Sequence, residues 1–388
     1  MTTSHDMTTS YHLPTYGAAA EGPNNPGNRR NRSSRHVRRR VLAAGIAAAA
    51  AAGAFWGARA SGVPASSVLT TRQIAAQVDP ALVDVVTTLG YQQAEAAGTG
   101  LVLTSSGEVL TNNHVIEGAT AIRVTDVGNG RTYRATVVGY DRSLDIAVLQ
   151  LRGASGLKTV TLGNSASTRT GQQVVALGNA GGRGGTPSVV TGHVTHLGAS
   201  ITATDASAGT SEQLTGLIEH DAAIQPGDSG GPLVNSAGQV IGIDTAASSG
   251  YQFQTTTSQT EGFAIPIKEA LSVARQIEAG AGSATVHIGA TGFVGVEVMS
   301  ADQAAASGVQ TGGGAVVAGV LPGSPAQVAG LASGDVIASV DGHHIGSALD
   351  LQAALEQHHP GDRVRISWTD QSGRSRSASL VLRAGPAG

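Results

Sequence analysis

Between Ile74 and Pro266 the chain is a succession of short β-rich runs separated by turn residues, among them GTGLVLT, EVLTN, AIRVTDV, YRATVVGY, DIAVLQL, QQVVALG, GQVIGI and GFAIPI. Almost no 3.6-residue period intervenes, so this stretch is predicted to form an all-β sandwich or a pair of barrels. Aromatic residues make up only 3% of the chain, which leaves Val, Ile, Leu and Ala to fill the core. The 54 glycines follow no fixed period, which excludes a collagen-like repeat and points to many tight turns. The absence of cysteine removes disulfides, thiol catalysis and cysteine-based zinc sites together. A net charge of −3 gives no reason to expect nucleic acid as a partner.

The flanks differ from this β-rich stretch. Residues 1–40 are polar, aperiodic and basic, with seven arginines against Asp6 and Glu21, and read as a disordered cytoplasmic tail. Residues 41–60 open with VLAAGIAAAAAAGAFWGA, uncharged from Val41 to Ala58 and, as a helix, about 27 Å long, enough to cross a hydrocarbon core. The arginines before it would stay cytoplasmic and Trp56 would lie near the outer interface. The small residues of Ala58-Arg59-Ala60 also fit a signal-peptide cleavage site, so a membrane anchor and a removed signal sequence are both open. Either way the remainder is exported. Residues 61–73 read as a linker and 74–282 as the β-rich domain, closed by an amphipathic helix with Ile267, Leu271, Ala274 and Ile277 on one stripe and Gly280 at its end. AGSATVHIGATG reads as a second linker. From 290 to 384 strands and helices mix: Asp341-Gly342 signals a hairpin, and SALDLQAALEQ a helix with Ser347 and Asp350 in capping-box spacing.

One serine has unusual neighbours. In HDAAIQPGDSGGPLVNSAGQVIGI, Ser229 lies between Asp228 and Gly230-Gly231, with Gly227 before and an apolar strand after. A serine hydroxyl attacks only when a base removes its proton, and that base needs a third group to hold its tautomer. VLTNNHVI supplies His114 just after a strand, and SLDIAVLQL supplies Asp145 at the edge of another. Asp141 and Asp126 are rivals for the carboxylate, although Asp141 stands further from the apolar strand, in a turn. Glycines beside Ser229 allow the N–H groups of Gly227 and Ser229 to converge on one spot, as an oxyanion hole requires. The chain order His, Asp, Ser is the one used by two-barrel serine proteases.

TNNHVI, LDIAVLQL and GDSGGPLVN resemble the three catalytic segments of trypsin-like proteases of the bacterial HtrA (Deg) family, and the mixed C-terminal part resembles its PDZ domain. The resemblance spans about Ile74 to Leu382. It implies a mainly β fold: a chymotrypsin-like double β-barrel protease domain followed by an α+β PDZ domain. It also implies His114 as general base, Asp145 as its orienter, Ser229 as nucleophile, and the N–H groups of Gly227 and Ser229 as oxyanion hole. Phe293, Val294, Gly295 and Val296 align on the loop that binds a peptide's C-terminal carboxylate; the plainer reading is that Phe293, Val294 and Leu351 pack the domain core. The base of the S1 pocket falls at Ala223, with Ile224 next, which suggests a small or medium apolar P1 residue. No metal or cofactor is implied. The partners implied are unfolded or misfolded proteins, C-terminal peptides at the PDZ domain and the membrane, with trimers the family's habit. A binding protein with a resting, inactive site is the competing class.

The sequence departs from the family's pattern in places. Asp228 stands where Asn is common, and no newly cut N-terminus is near to pair with it. Gly178-Asn179-Ala180 runs into GGRGG, read as a flexible loop. His220 replaces Thr or Gln and reads as a solvated histidine beside the S1 segment.

Overall fold

The computed structural model describes residues 68–205, 210–245, 251–254, 261–306 and 313–387. The basic tail and the apolar segment 41–60 lie outside them; among the described residues no helix is long and apolar enough to cross a membrane. The chain enters through α1 (Thr71–Val78), where the sequence reading still has a linker. Thr70 and Gln73 close a capping box there, and Ile74 and Val78 are buried.

Six strands form the first barrel: β1 (Leu82–Leu89), β2 (Ala94–Val102), β3 (Glu108–Thr111), β4 (Ala121–Asp126), β5 (Thr132–Asp141) and β6 (Ile146–Leu151). The antiparallel order β5-β4-β1-β2-β3-β6 closes because β5 also pairs β6. A short helical turn, α2 (Asn113–Ile116), follows β3. The second barrel repeats the plan with β7 (Gln173–Gly178), β8 (Ser188–Asp205), β9 (Thr210–His220), β10 (Pro232–Asn235), β11 (Val240–Thr245), β12 (Tyr251–Gln254) and β13 (Gly262–Pro266). Its order β8-β7-β10-β11-β13-β9 is closed by β8–β9, and β12 extends the sheet from β8. Closure satisfies most of the strand edges, which is how an antiparallel sheet avoids exposed backbone donors.

One apolar cluster spans both barrels, with Leu82, Leu101 and Ile146 from the first and Val175, Ile243 and Ile265 from the second. Helix α3 (Ile267–Glu278) caps it, burying Ile267, Ala270, Val273, Ala274 and Ile277. The segment read as a second linker is not free of structure: β14 (Val286–Ile288) pairs β5 from Gly139 to Asp141. Three residues carry too little periodicity to announce a strand; only the open edge of β5 makes one.

The C-terminal domain holds β15 (Gly292–Phe293), β16 (Val296–Val298), α4 (Ala301–Ala306), β17 (Ala315–Val320), α5 (Pro325–Ala329), β18 (Val336–Val340), β19 (His343–His344), α6 (Ala348–Glu356), β20 (Arg363–Thr369), β21 (Ser375–Val381) and β22 (Arg383–Ala384). Its core gathers Val294, Val317, Ile337, Leu351, Ile366 and Trp368. Asp341 and Gly342 both take positive φ, 48° and 85°, as the hairpin signal requires. Ser347 caps α6 by accepting from the Asp350 N–H at 3.1 Å.

On β3, burial and the neighbouring Glu278 push the Glu108 carboxyl up to about 7. A carboxyl raised in the folded state contributes stability that is full below its ordinary value near 4.5 and is lost as pH rises through 7. Glu108→Gln should therefore gain stability relative to wild type between about pH 4.5 and pH 8, read as the difference in urea midpoints at the two ends.

Candidate active site

The site is built from the Asp145 carboxylate outward. Asp145 sits in the left-handed region, φ 52°, at the end of the Arg142–Asp145 turn that feeds β6. That conformation costs a non-glycine residue about 1–2 kcal/mol, though Asp and Asn tolerate it best. Asn112 offsets the cost by donating from Nδ2 to the Asp145 carbonyl at 2.9 Å. The turn aims the carboxylate at α2. There the His114 backbone N–H donates to Oδ1 at 3.0 Å, and His114 Nδ1 lies 2.8 Å from Oδ2. The Thr245 hydroxyl, from β11 of the other barrel, donates to the same Oδ2 at 3.1 Å. Both residues of the pair are buried, His114 at 8% and Asp145 at 2% exposure. With an acceptor at Nδ1, the imidazole carries its proton there and leaves Nε2 as the basic nitrogen. The rival carboxylates are committed to their own turns, Asp141 to Ser143 and Leu144, and Asp126 to the Asn129 N–H.

Ser229 reaches this place because the Gln225–Gly231 loop is threaded between the barrels. Thr99 of β2 holds it twice: its N–H donates to the Ser229 carbonyl at 2.7 Å, and its hydroxyl to the Gly227 carbonyl at 2.8 Å. Gly98 lies so close that a Cβ there would meet both Val115 of α2 and the Ser229 carbonyl, which puts the serine loop against the histidine's helix. From behind, Gly230 N–H donates to the Asp244 carbonyl and Asp244 N–H to the Gly231 carbonyl, both at 2.8 Å.

Gly227 has φ 99°, and a Cβ on it would overlap the Asn179 carbonyl. The Asp228 N–H donates to the Gln225 carbonyl at 2.9 Å, so Gln225–Asp228 is a turn with Pro226 second and Gly227 third, the pattern of type II. The Pro226 carbonyl accepts from Gly181 N–H at 2.7 Å. Across a trans peptide the Gly227 N–H must then point the opposite way.

The missing partner of Asp228 is supplied from inside the domain. Ser188 donates its hydroxyl to Oδ1 at 2.8 Å and Gln225 its N–H to Oδ2 at 2.9 Å. Burial still pushes the Asp228 carboxyl up, and these two donors pull it back. The glycine-rich loop beyond Asn179 is tied down as well, since Gly184 donates to Asn179 Oδ1 at 2.7 Å and Gly185 to Asp84 at 3.3 Å. His220 is a correction. It is fully buried, its Nε2 lying 3.1 Å from Asp244 Oδ1, because β9 is closed over by β13 and Gly262 packs directly on the ring. Of the S1 pair, Ala223 is exposed and Ile224 half-buried against the apolar cluster of the second barrel. Thr99, Ser188 and Thr245 carry no signal in the sequence; each is one Thr or Ser on a strand, and only barrel closure gives it a partner.

In the C-terminal domain Phe293, Val294, Val296, Val298, Leu351 and Leu355 line a cavity of about 290 Å³ between β16 and α6. Val294 is also core, at 2% exposure, so the lining and packing readings hold together. Gly295 has φ 81° and no room for a side chain against Ser324. Among the contacts that tie this domain to the barrels, Tyr91 stacks on Phe293 at 5.6 Å, and Arg142 bridges Glu356 of α6 and Glu117, just past α2, at 2.6 Å each.

Two closed antiparallel barrels, with a buried His–Asp pair on their seam and a glycine-framed serine beside it, define a trypsin-like peptidase carrying a second, peptide-groove domain. The trypsin-like peptidase domain family matches residues 98–243 and the PDZ domain family residues 292–372. The chain is 35% identical to the serine protease PepD of Mycobacterium tuberculosis, over 83% of this chain and 67% of that one. It is 36% identical to the putative serine protease HhoA of Synechocystis, over 72% and 71%. To a probable periplasmic serine protease do/HhoA-like of Haemophilus influenzae it is 38% identical, over 74% of this chain but 58% of that one. A solved structure of the HtrA-type protease AlgW with tripeptide aligns at 33% identity over 82% of this chain and 99% of that chain, with a TM-score of 0.45. The chain belongs to the HtrA-type, Do-like trypsin-like serine proteases.

Ser188→Ala leaves the buried Asp228 Oδ1 without its hydroxyl donor. The expected cost is about 1–3 kcal/mol of stability, read from the urea midpoint at constant slope.

Proposed function

We propose that the chain is an exported endopeptidase that cuts unfolded or damaged envelope proteins and is regulated through its PDZ domain. The observation that carries the reading is the buried His114–Asp145 contact of 2.8 Å, fixed from the second barrel by Thr245. In this reading His114 Nε2 takes the Ser229 hydroxyl proton as Oγ attacks the scissile carbonyl. The negative oxygen of the tetrahedral intermediate lies against the N–H groups of Gly227 and Ser229. The imidazolium that forms is stabilised by Asp145 and returns its proton to the leaving amine. Water then repeats the sequence on the acyl-enzyme, and no metal or cofactor takes part. The Gln225–Asp228 turn supports a hole assembled at rest, since the Pro226 carbonyl is held away by Gly181. Ala223 and Ile224 line S1 in this reading. Export is supported by the periplasmic naming of the Haemophilus relative, and residues 41–60 would serve as anchor or signal sequence.

The PDZ cavity is lined by Phe293, Val294, Val296, Val298, Leu351 and Leu355, with Ser300, Gln303 and Gln352 among its polar members, which suits the apolar C-terminal side chain of a peptide whose carboxylate meets the Phe293–Val296 loop. Helix α6, one wall of that cavity, ends at Glu356 on Arg142, and Arg142 is three residues from Asp145. A peptide that shifts α6 changes that contact at the turn that aims the carboxylate.

A fluorophosphonate probe should label Ser229 of the chain from residue 61 onward without any peptide, and Ser229→Ala should take no label. No labelling under any condition would favour the binding-protein class. Apolar C-terminal peptides should raise the labelling rate by about fivefold or more, and Arg142→Ala should abolish that dependence while still taking the label.

A further inference from the structure

The His220–Asp244 pair is unused by the mechanism above, yet it lies on the face that carries the S1 segment. Across β11 and β13, Asp244 pairs Ala264, and across β13 and β9, Gly262 pairs His220. Residues two apart on a strand share a face, so Asp244, Ala264, Gly262 and His220 stand together on one side of the sheet. That side also carries the apolar cluster of Ile218, Ala222, Ile241 and Ala264, on which Ile224 packs as a half-buried rim. The cross-strand neighbours of the pair are small, Ala264 opposite Asp244 and the bare Gly262 opposite His220. Both members of the pair are fully buried, and each has one atom with no hydrogen-bond partner, Nδ1 of His220 and Oδ2 of Asp244.

Those two orphan atoms have the same polarity. Burial pushes the Asp244 carboxyl up, and the His220 hydrogen bond is the first influence that holds charge on it. A ring carrying one proton holds it on Nε2, facing Oδ1 as donor, and presents Nδ1 as an acceptor. Oδ2 of the carboxylate is an acceptor too. A buried acceptor without a donor costs about 1–3 kcal/mol, so an unpartnered Oδ2 beside an apolar cluster calls for a donor from elsewhere.

We propose that His220 and Asp244 form the polar floor of the S1 pocket and select a P1 side chain that donates a hydrogen bond, such as Thr, Ser or Asn. This rests on the assignment of Ser229 as nucleophile and of Ala223–Ile224 to S1; it moves the pocket base from exposed Ala223 to the buried pair and revises the apolar P1 preference that those two residues suggest alone. Ile224 is the side chain that moves aside to admit P1. A pocket built to hydrogen-bond its substrate rejects an isostere lacking the donor far more strongly than an apolar pocket separates two sizes.

The test compares kcat/KM for peptides that differ only at P1, in the isosteric pairs Thr/Val and Asn/Leu, on the chain from residue 61 onward. Active sites are counted with the fluorophosphonate probe. Wild type should favour Thr over Val and Asn over Leu by about tenfold or more. In Asp244→Asn, which puts an amide donor where the Oδ2 acceptor stands, both ratios should fall toward one among the molecules that label. Wild-type ratios at or below one would overturn the proposal and leave the pair a buried strut between β9 and β11. If wild type turns over these peptides with the expected ratios but Asp244→Asn keeps them, the selecting residue lies elsewhere and the proposal also fails. Absence of probe labelling in wild type would instead overturn the nucleophile assignment, and the P1 proposal with it.

Discussion

The Asp145 carboxylate is the point on which the site depends. It accepts from a backbone N–H of α2, from the ring beside it and from a hydroxyl of the opposite barrel. Three donors from two segments, His114 of α2 twice and Thr245 of β11, meet there in a buried place where an unmatched charge would cost several kcal/mol. The left-handed turn at Asp145, the Asn112 contact that secures it and the closure of β5 on β6 are all consequences of bringing one carboxylate to that position. A misplacement of either barrel would strand it.

The serine loop obeys a second constraint, lack of room. Gly227 and Gly230 combine positive φ with backbone pressed against backbone, Asn179 at one and Thr99 at the other. Side chains there would force the loop away from β2, and the hydrogen bonds from Thr99 would be lost with the position of Ser229. The loop is therefore held by main chain rather than by packing. Its one charged member, Asp228, is satisfied locally by Ser188 and Gln225, without any chain terminus. The PDZ domain reaches this arrangement at its margin, among other contacts through Arg142 and through Tyr91 on Phe293. Those two lie on the turn before Asp145, just past α2 and on the Phe293–Val296 loop.

Much of this could be read from residues alone because it is written in local patterns. Alternation and turn residues announce the strands, and the period of Ile267–Glu278 announces α3. The glycines around Ser229 announce a constrained loop, while Asp341-Gly342 and Ser347 announce the hairpin and capped helix of the C-terminal domain. These features depend on φ preferences and on which side chains stand a few residues apart, quantities that the chain carries with it. His114 and Asp145 could be nominated as well, each by its place at a strand edge, though Asp141 stayed in contention until the structure showed it spent on its own turn.

What the chain could not declare by itself depends on closure. Thr99, Ser188 and Thr245 are ordinary strand residues until a second barrel brings their partners within hydrogen-bond distance. β14 becomes a strand only because β5 offers an open edge. His220 looked like a solvated histidine, and nothing near it in sequence marks it as buried. Its partner Asp244 is 24 residues away, and Gly262, which lids the ring, is further still. The elements, the turns and the set of reactive side chains follow from short-range sterics and patterning, which the chain carries with it. Which carboxylate meets which imidazole, and what lies beneath Ala223 and Ile224, is settled only when two closing barrels bring together segments remote in sequence, because burial and pairing belong to such segments jointly.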